Sequence, residues 1–527
     1  MKWLLLTVAI CVTTTAWSQS RIESVTVDEN RALRVNGDAY FPIMIWLQNP
    51  DNFPRAVEAG VNTIGGYWPG SGGTEDVVEY LDLVEDAGLL GVMPWDERLI
   101  GHPALLGFIH DDEPDLPHKV SDATVTAAEQ MRLNADTPLT RIVDGETSSW
   151  SVLDPMESAQ VTIEVADAAT ITRIGVWLTI SEGLTVAKDA VFFADGEEIA
   201  RATLRAERGR QEIALAEPVT LRKLTMRVET VYPGEDVWGS IGEIEGFDAD
   251  GENMLLSVPR WEPRKTPAET LQEYEAIKAA GAQRPVFMTV TAHFMDTTDR
   301  WTEEERNALY PAYAEAADVL GFDVYPIYGW GRPDWLDRVH DGTEQLVALA
   351  GDRPVYAWIE TSKGSRWVSE ERQVEVSPEH IRCEVWSAIV AGATGIGYFT
   401  HVWKPEYSQF GTPDGNVAAM REINDQITRL SPALLAPGAA ADVSIALAGD
   451  LRADVLANQA EDALYLFAVN FDPSAQAGEA AITVQGLEAG TAVEVVDEWR
   501  KITAEAGAFH DHFEGLGVHI YRIPNGP

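Results

Sequence analysis

The sequence predicts an α/β protein: a (β/α)8 TIM barrel with an inserted β-sandwich and a C-terminal β-sandwich. Three observations carry that expectation. Short apolar runs alternate with amphipathic helical stretches, and the alternation yields eight strands, the count of a β/α barrel. The rhythm stops near Leu116 and resumes at Thr266, with four strands on each side. The interval, and the chain after about 437, instead carry alternating strand patterns separated by Asp-Gly and Pro-Gly turns. At 527 residues the chain is too long for one core, so several domains are expected.

Met1 to Ser20 has the grammar of a secretory leader: Lys2, an apolar run Leu4 to Val12, and small residues at Ala16 and Ser18 before Gln19. The predicted division is 1–18 signal peptide, 19–118 with 258–436 barrel, 119–257 insert and 437–527 C-terminal sandwich. Secretion or export to a periplasm follows from the leader. Cys11 falls within it, leaving Cys383, so no intrachain disulfide holds the mature fold. Cys383 lies among apolar helical neighbours and is expected to pack.

Residues 21–40 read as a hairpin around Asn36-Gly37-Asp38. Strands are expected at Phe41–Leu47, Val61–Trp68, Leu89–Trp95 and Leu105–Ile109, with helices at Phe53–Ala59 and Thr74–Ala87. The insert shows strands at Val161–Val165, Ile171–Ile180, Ala190–Phe193, Gln211–Leu215, Leu221–Val228 and Ile241–Phe247. The second half of the barrel places strands at Pro285–Ala292, Val319–Tyr325, Pro354–Glu360 and Gly395–Thr400. Its helices fall at Pro267–Ala280, Glu303–Ala317, within Trp335–Leu349, Pro378–Ala391 and Val417–Leu430. Strands return at Val443–Leu447, Ala463–Asn470, Ala480–Val484, Ala492–Val495 and Val518–Arg522.

A formal net charge of −45 argues against nucleic acid or an anionic membrane as a partner. No stretch after the leader is long and apolar enough to cross a bilayer as a helix. Oligomeric state is not legible.

In a β/α barrel the chemistry sits where the strands end. Read in order, those ends present Trp46, Trp68, Trp95 with Asp96 and Glu97, the run Asp111-Asp112-Glu113, His293, Asp323 with Tyr325, Trp358 with Glu360, and His401 with Trp403. Carboxylates with tryptophans make the composition of a sugar site: indole faces stack on pyranose rings, and paired acids cleave glycosidic bonds. A metal centre is not indicated. No His-x-x-x-His or cysteine pair occurs, and the acidic run is too local to enclose an ion alone.

Gly107 to Asp115 (GFIHDDEPD) and Val355 to Ser362 (VYAWIETS) resemble the strand-four and strand-seven signatures of retaining (β/α)8-barrel glycoside hydrolases. The resemblance covers about 21–118 and 258–435. It implies Glu113 as acid/base and Glu360 as nucleophile, with no organic cofactor. It also implies Trp403 as a sugar platform and Tyr325 as a contact of the nucleophile. That clan usually has asparagine before the acid/base; here Asp112 stands there and can accept from a sugar hydroxyl but not donate. Trp46, Trp68 and Trp95 are further candidate platforms, Trp358 a wall, and His293 and His401 hydroxyl contacts or satisfied core histidines. The alternative for Glu360 is an ion pair with Lys363 or Arg366.

Within the insert, Arg141 to Trp150 (RIVDGETSSW) and Trp238 to Ile244 (WGSIGEI) resemble the discoidin-type, galactose-binding-like sandwich. That resemblance implies a saccharide partner, the alternative being an insert that only shapes the cleft, and a structural calcium, for which Asp144 and Glu243 are the candidates. The expected function is a secreted retaining glycoside hydrolase of an oligo- or polysaccharide. The alternative is a non-catalytic carbohydrate-binding protein that uses the discoidin-like domain.

Overall fold

The apolar runs fold as parallel strands because both faces of each are buried. In the computed structural model they are β1 Ile43–Trp46, β2 Thr63–Gly65, β3 Leu90–Pro94, β4 Leu105–Ile109, β5 Val286–Thr291, β6 Val319–Asp323, β7 Val355–Glu360 and β8 Gly395–Phe399. They pair in that order, and β8 returns to β1 to close the barrel. The structure describes residues 22–69, 74–120, 123–134, 137–181, 183–256, 260–298 and 300–525. The expected signal peptide lies outside them.

Seven helices accompany the strands among the described residues: α1 Phe53–Glu58, α2 Val77–Asp86, α3 Pro267–Ala279, α4 Glu303–Ala314, α5 Arg338–Ala350, α6 Pro378–Val390 and α7 Asp414–Leu434. Their starts are written in the sequence. Thr266 and Thr302 accept from the Glu269 and Glu305 amides, and those glutamates reach back to the threonine amides, closing capping boxes on α3 and α4.

Met44, Trp46, Leu90, Val92, Leu106, Phe287, Val319, Tyr356 and Trp358 fill the barrel as one buried cluster. Two large rings of β7 fit because glycines flank them. A Cβ on Gly321 of β6 would fall inside the Tyr356 ring, and one on Gly397 of β8 inside the Trp358 ring. The expected N-terminal hairpin is a three-stranded sheet, Val25–Val27, Leu33–Val35 and Asp38–Tyr40. Its Val25 and Leu33, with Ile22, join the barrel core. Arg284 fixes this end, donating to the carbonyls of Leu105 (2.9 Å) and Ile22 (2.7 Å).

The chain separates into two compact units, one of residues up to Leu116 and from Lys265 onward, the other Pro117–Arg264. The second is a seven-stranded antiparallel sheet with its own apolar core, including Ile142, Val161, Ile174, Phe192, Leu224 and Ile244. Two of its strands are long: Gln160–Leu178 and Gly209–Tyr232. The sequence reads each as two strands, because Ala166-Asp167-Ala168 and Ala216-Glu217-Pro218 interrupt the alternation. The structure keeps them continuous through register shifts, since a bulge bends a strand without ending it.

In the first unit the chain after α7 forms a three-stranded sheet (Val443–Leu447, Gly478–Val484, Ala508–Phe513) and a five-stranded one. The latter orders Ala453–Gln459, Ala463–Asn470, Val518–Pro524, Ala492–Val495 and Arg500–Thr503. The two sheets share a core that includes Leu466, Ile482, Phe509 and Tyr521. Aromatic stacking joins them to the barrel helices: Trp386 of α6 on Phe467 (5.9 Å) and His340 of α5 on Phe471 (4.1 Å).

Candidate active site at the barrel mouth

The acidic loop after β4 is sorted residue by residue. Asp111 is exposed and pairs with Lys265 at 3.0 Å. Asp112 is exposed as well, and Glu113 is half-buried. Asp115 is fully enclosed and anchors the loop: it accepts from the Thr291 amide (2.9 Å), the Thr291 hydroxyl (2.7 Å) and the Tyr310 hydroxyl (2.9 Å). Burial pushes its carboxyl up to about 7 despite those donors. With Asp115 fixed to the end of β5, the turn holds Glu113 in the left-handed region at φ 51°, a costly conformation for a side chain with a Cβ.

Glu113 opens onto a cavity of about 600 Å³ at the strands' C-terminal ends. Thr291 and His293 at the end of β5, and Asp323 and Tyr325 at the end of β6, line it too. Tryptophans Trp330, Trp335 and Trp367 and the Arg300 guanidinium complete the wall. The half-buried Asp323 is hydrogen-bonded through its carboxyl to that of Glu113. Burial, then the negative charges of Glu113, Asp112 and Asp115, hold Asp323 well above the usual carboxylate range. Two carboxyls in contact cannot both ionise, so the pair retains a proton. Burial and Asp323 likewise keep Tyr325 protonated.

Glu360, at the end of β7, is fully buried. Its two oxygens accept from the amides of Ile327 (2.8 Å) and Tyr328 (2.5 Å) in the loop after β6. The carboxyl of Glu384, fully buried on α6, lies hydrogen-bonded against it. Burial raises Glu360 to about 7 even though Glu384 and the two amides favour its charged form. Burial and Glu360 raise Glu384 well above its usual range. The neutral Glu384 acid is therefore a donor to Glu360. The cations near in sequence are engaged elsewhere: Lys363 pairs with Glu375, and Arg366 lies over the Trp403 ring at 4.3 Å. Glu360 is not among the residues lining the Glu113 cavity.

The other candidates take varied places. Trp46 and Trp358 are barrel core, meeting edge to face at 5.2 Å, and the Trp358 Nε1–H donates to the Thr289 hydroxyl at 3.0 Å. Trp95 packs edge-on against Phe108 at 4.8 Å, and Trp68 is half-exposed. His401 is buried, with Nε2 donating to the Trp46 and Leu47 carbonyls at 3.2 and 3.1 Å. Burial lowers its pKa, so it stands as a neutral, satisfied histidine. Trp403 lies between Arg366 and the Tyr407 ring, 4.7 Å away. Of the residues read at the strand ends the cavity gathers Glu113, His293, Asp323 and Tyr325. The sequence reading did not single out Trp330, Trp335, Trp367, Arg300 or Glu384. The only sign of the first is a dense Tyr-Gly-Trp-Gly run after β6.

In the second unit, Asp144 and Glu243 are both buried and adjacent. Asp144 accepts from the Glu146 amide (2.8 Å) and the Ser149 hydroxyl (2.8 Å). The Glu243 carboxyl lies hydrogen-bonded against that of Asp144, and burial with the Asp144 carboxyl pushes Glu243 up to about 10. Such a pair is held together by a shared proton or by a cation. Two carboxylates are hard oxygen ligands of the type calcium takes, two of the roughly six to eight it needs.

No family model matches the chain, and no curated protein matches it. Among solved structures, an Anoxybacillus alpha-amylase aligns over 50% of this chain and 57% of its own, at 12% identity and a TM-score of 0.35. The family 32 carbohydrate-binding module of Clostridium perfringens NanJ aligns over 24% of this chain and 97% of its own, at 13% identity and a TM-score of 0.21. A module of the same family from a C. perfringens family 31 glycoside hydrolase aligns over 24% and 94%, at 17% and 0.20.

Proposed function

We propose that this protein is an exported glycoside hydrolase that cleaves an oligo- or polysaccharide at the barrel mouth. The observation that carries the reading is the Glu113–Asp323 carboxyl pair in a tryptophan-walled cavity of about 600 Å³. The pair holds a proton at the cavity wall within reach of a glycosidic oxygen, and the positive charge that develops on the sugar as the bond breaks offsets the second carboxylate charge created when that proton leaves. Trp330, Trp335 and Trp367 offer ring faces for pyranoses, and His293 and Thr291 offer polar contacts for hydroxyls. The resemblance of the β4 and β7 signatures supports a retaining course. In that course Glu360 attacks the anomeric carbon and Glu113 then activates water.

The enclosure of Glu360 favours a second reading, in which the mouth binds saccharide without cleaving it. The discoidin-like unit would then be a further sugar-binding element. Turnover of aryl glycosides and of plant, algal and microbial polysaccharides separates the two. Hydrolysis by the wild type, reduced at least ~10³-fold by Glu113→Gln, is the expected result. Glu360→Gln abolishes it as well if Glu360 is the nucleophile, and azide then restores turnover to Glu360→Ala by filling the space of the lost carboxylate. Rescue of Asp323→Ala in place of Glu360→Ala would move the nucleophile to Asp323. Saccharide binding with no turnover in any wild-type assay would overturn the hydrolase.

A further inference from the structure

Trp499 sits at the tip of the hairpin between Ala492–Val495 and Arg500–Thr503, and its side chain is wholly in solvent, at 100% exposure. Its backbone is left-handed, at φ 54°. A turn position of that kind suits Gly, Asn or Asp, and a bulky residue there costs on the order of 1 kcal/mol. An indole that buries nothing does not repay that cost within the fold. A local rule broken without a folding gain marks a place used for something else.

The surface beside the ring gives that use a chemistry. A groove of about 390 Å³ runs from Trp499 past Lys501 to Arg429 of α7. It adjoins a second of about 440 Å³ that continues to Arg382 of α6, and the two share Arg429, Val496 and Asp497. Their charges are largely neutralised locally. Arg429 binds Asp497 at 2.6 Å, Gln426 donates to Asp497 at 2.8 Å, and Arg500 bridges Glu498 and Asp511 at 2.7 Å each. Arg382 donates to Gln426 at 3.1 Å. The trough is thus an elongated track of donors and acceptors with one aromatic face at its end. A protein partner would call for a broader apolar patch. A membrane would call for basic and apolar residues together, against the acids gathered here.

We propose that the trough along the C-terminal sheets, headed by Trp499, is a second saccharide-binding site that takes a neutral glycan chain. The ring stacks on one pyranose and the paired side chains hydrogen-bond the hydroxyls that follow. The site would hold polymer near the enzyme and does not touch the reacting bond. Its ligand class rests on the glycoside hydrolase reading.

The test uses the full-length protein with its tryptophan indoles labelled with nitrogen-15. The Trp499 Nε1–H resonance is identified by its loss in Trp499→Ala. It is then followed during titration with neutral hexasaccharides of glucose, xylose, mannose and galactose. A saturable shift with at least one of them is expected. Trp499→Ala should also weaken retention of the protein in native gels containing the matching polysaccharide by roughly tenfold. Hydrolysis of a short aryl glycoside should be unchanged in that variant. A resonance that stays still with every sugar overturns the site. A shift in a protein that hydrolyses nothing leaves this site standing and defeats the hydrolase reading, whereas hydrolysis with a silent Trp499 does the reverse.

Discussion

Asp115 and Glu113 are two residues apart in one turn, and burial gives them opposite work. Asp115 spends its carboxyl on three donors from β5 and α4. Asp115→Ala leaves the Thr291 and Tyr310 donors buried without an acceptor, and should cost about 2–4 kcal/mol in urea melts. Asp115→Asn keeps an acceptor and should cost less. Equal stability of all three proteins would show that the loop is held by something else. Because the turn sets the φ of Glu113, Asp115→Asn should also lower kcat more than it raises KM. The anchor was not legible beforehand: the sequence singles out Glu113 in a crowd of acids after a strand, and only the fold shows that Asp115 holds the turn.

At the scale of elements, β7 illustrates what periodicity can and cannot settle. Its apolar run and position are plain in the sequence, and the parallel alternation fixes its neighbours. Its two large inward rings demand glycine on both flanking strands. Gly397→Ala would drive a methyl into the Trp358 ring, and should destabilise the barrel by about 1–3 kcal/mol or lower the yield of folded protein. An unchanged melting temperature would contradict the tight fit. The barrel strands were legible because each is a short apolar run between turn signals. The strands Ala453–Gln459, Arg500–Thr503 and Ala508–Phe513 were not, because polar residues interrupt their alternation. Strand ends were the weakest guide. Trp46 ends a strand yet fills the core, while Trp330 and Trp367 lie in loops and Trp335 in a single 3-10 turn, with no period to read.

Across the whole molecule, titration favours the acid side of neutrality. Asp115 and Glu360 ionise near 7 when folded but near 4 when unfolded, so the folded chain binds the extra protons and loses stability as pH rises between about 4 and 7. His340 adds a higher window. Its ring is buried between Asp341 and Asp454, and its pKa stands at about 9. Its contribution is complete below about 6.5 and is lost as pH climbs through 9. Asp341, lowered to about 2, sets the opposite limit, losing its contribution only in strong acid. Self-repulsion in a chain of net charge −45 has the same sign as the first two effects. The melting temperature should therefore peak near pH 4 and fall toward pH 9, and His340→Gln should flatten the upper limb. A flat profile from 5 to 9 would refute this.

The connection between β4 and β5 bears on the order in which the molecule assembles. Phe108 and Ile109 pair with Val286 and Phe287 across the whole of Pro117–Arg264. That unit fastens its own two ends together, Pro117–Val120 against Arg260–Pro263. Once it has folded, the Lys265 amide can reach the Pro114 carbonyl, 2.9 Å away, after a short closure in place of a long one. The interruption thus behaves as a splint. The longest connection between consecutive barrel strands becomes a local closure as soon as the domain inside it has formed, and the seam it closes lies beside the acid-bearing turn.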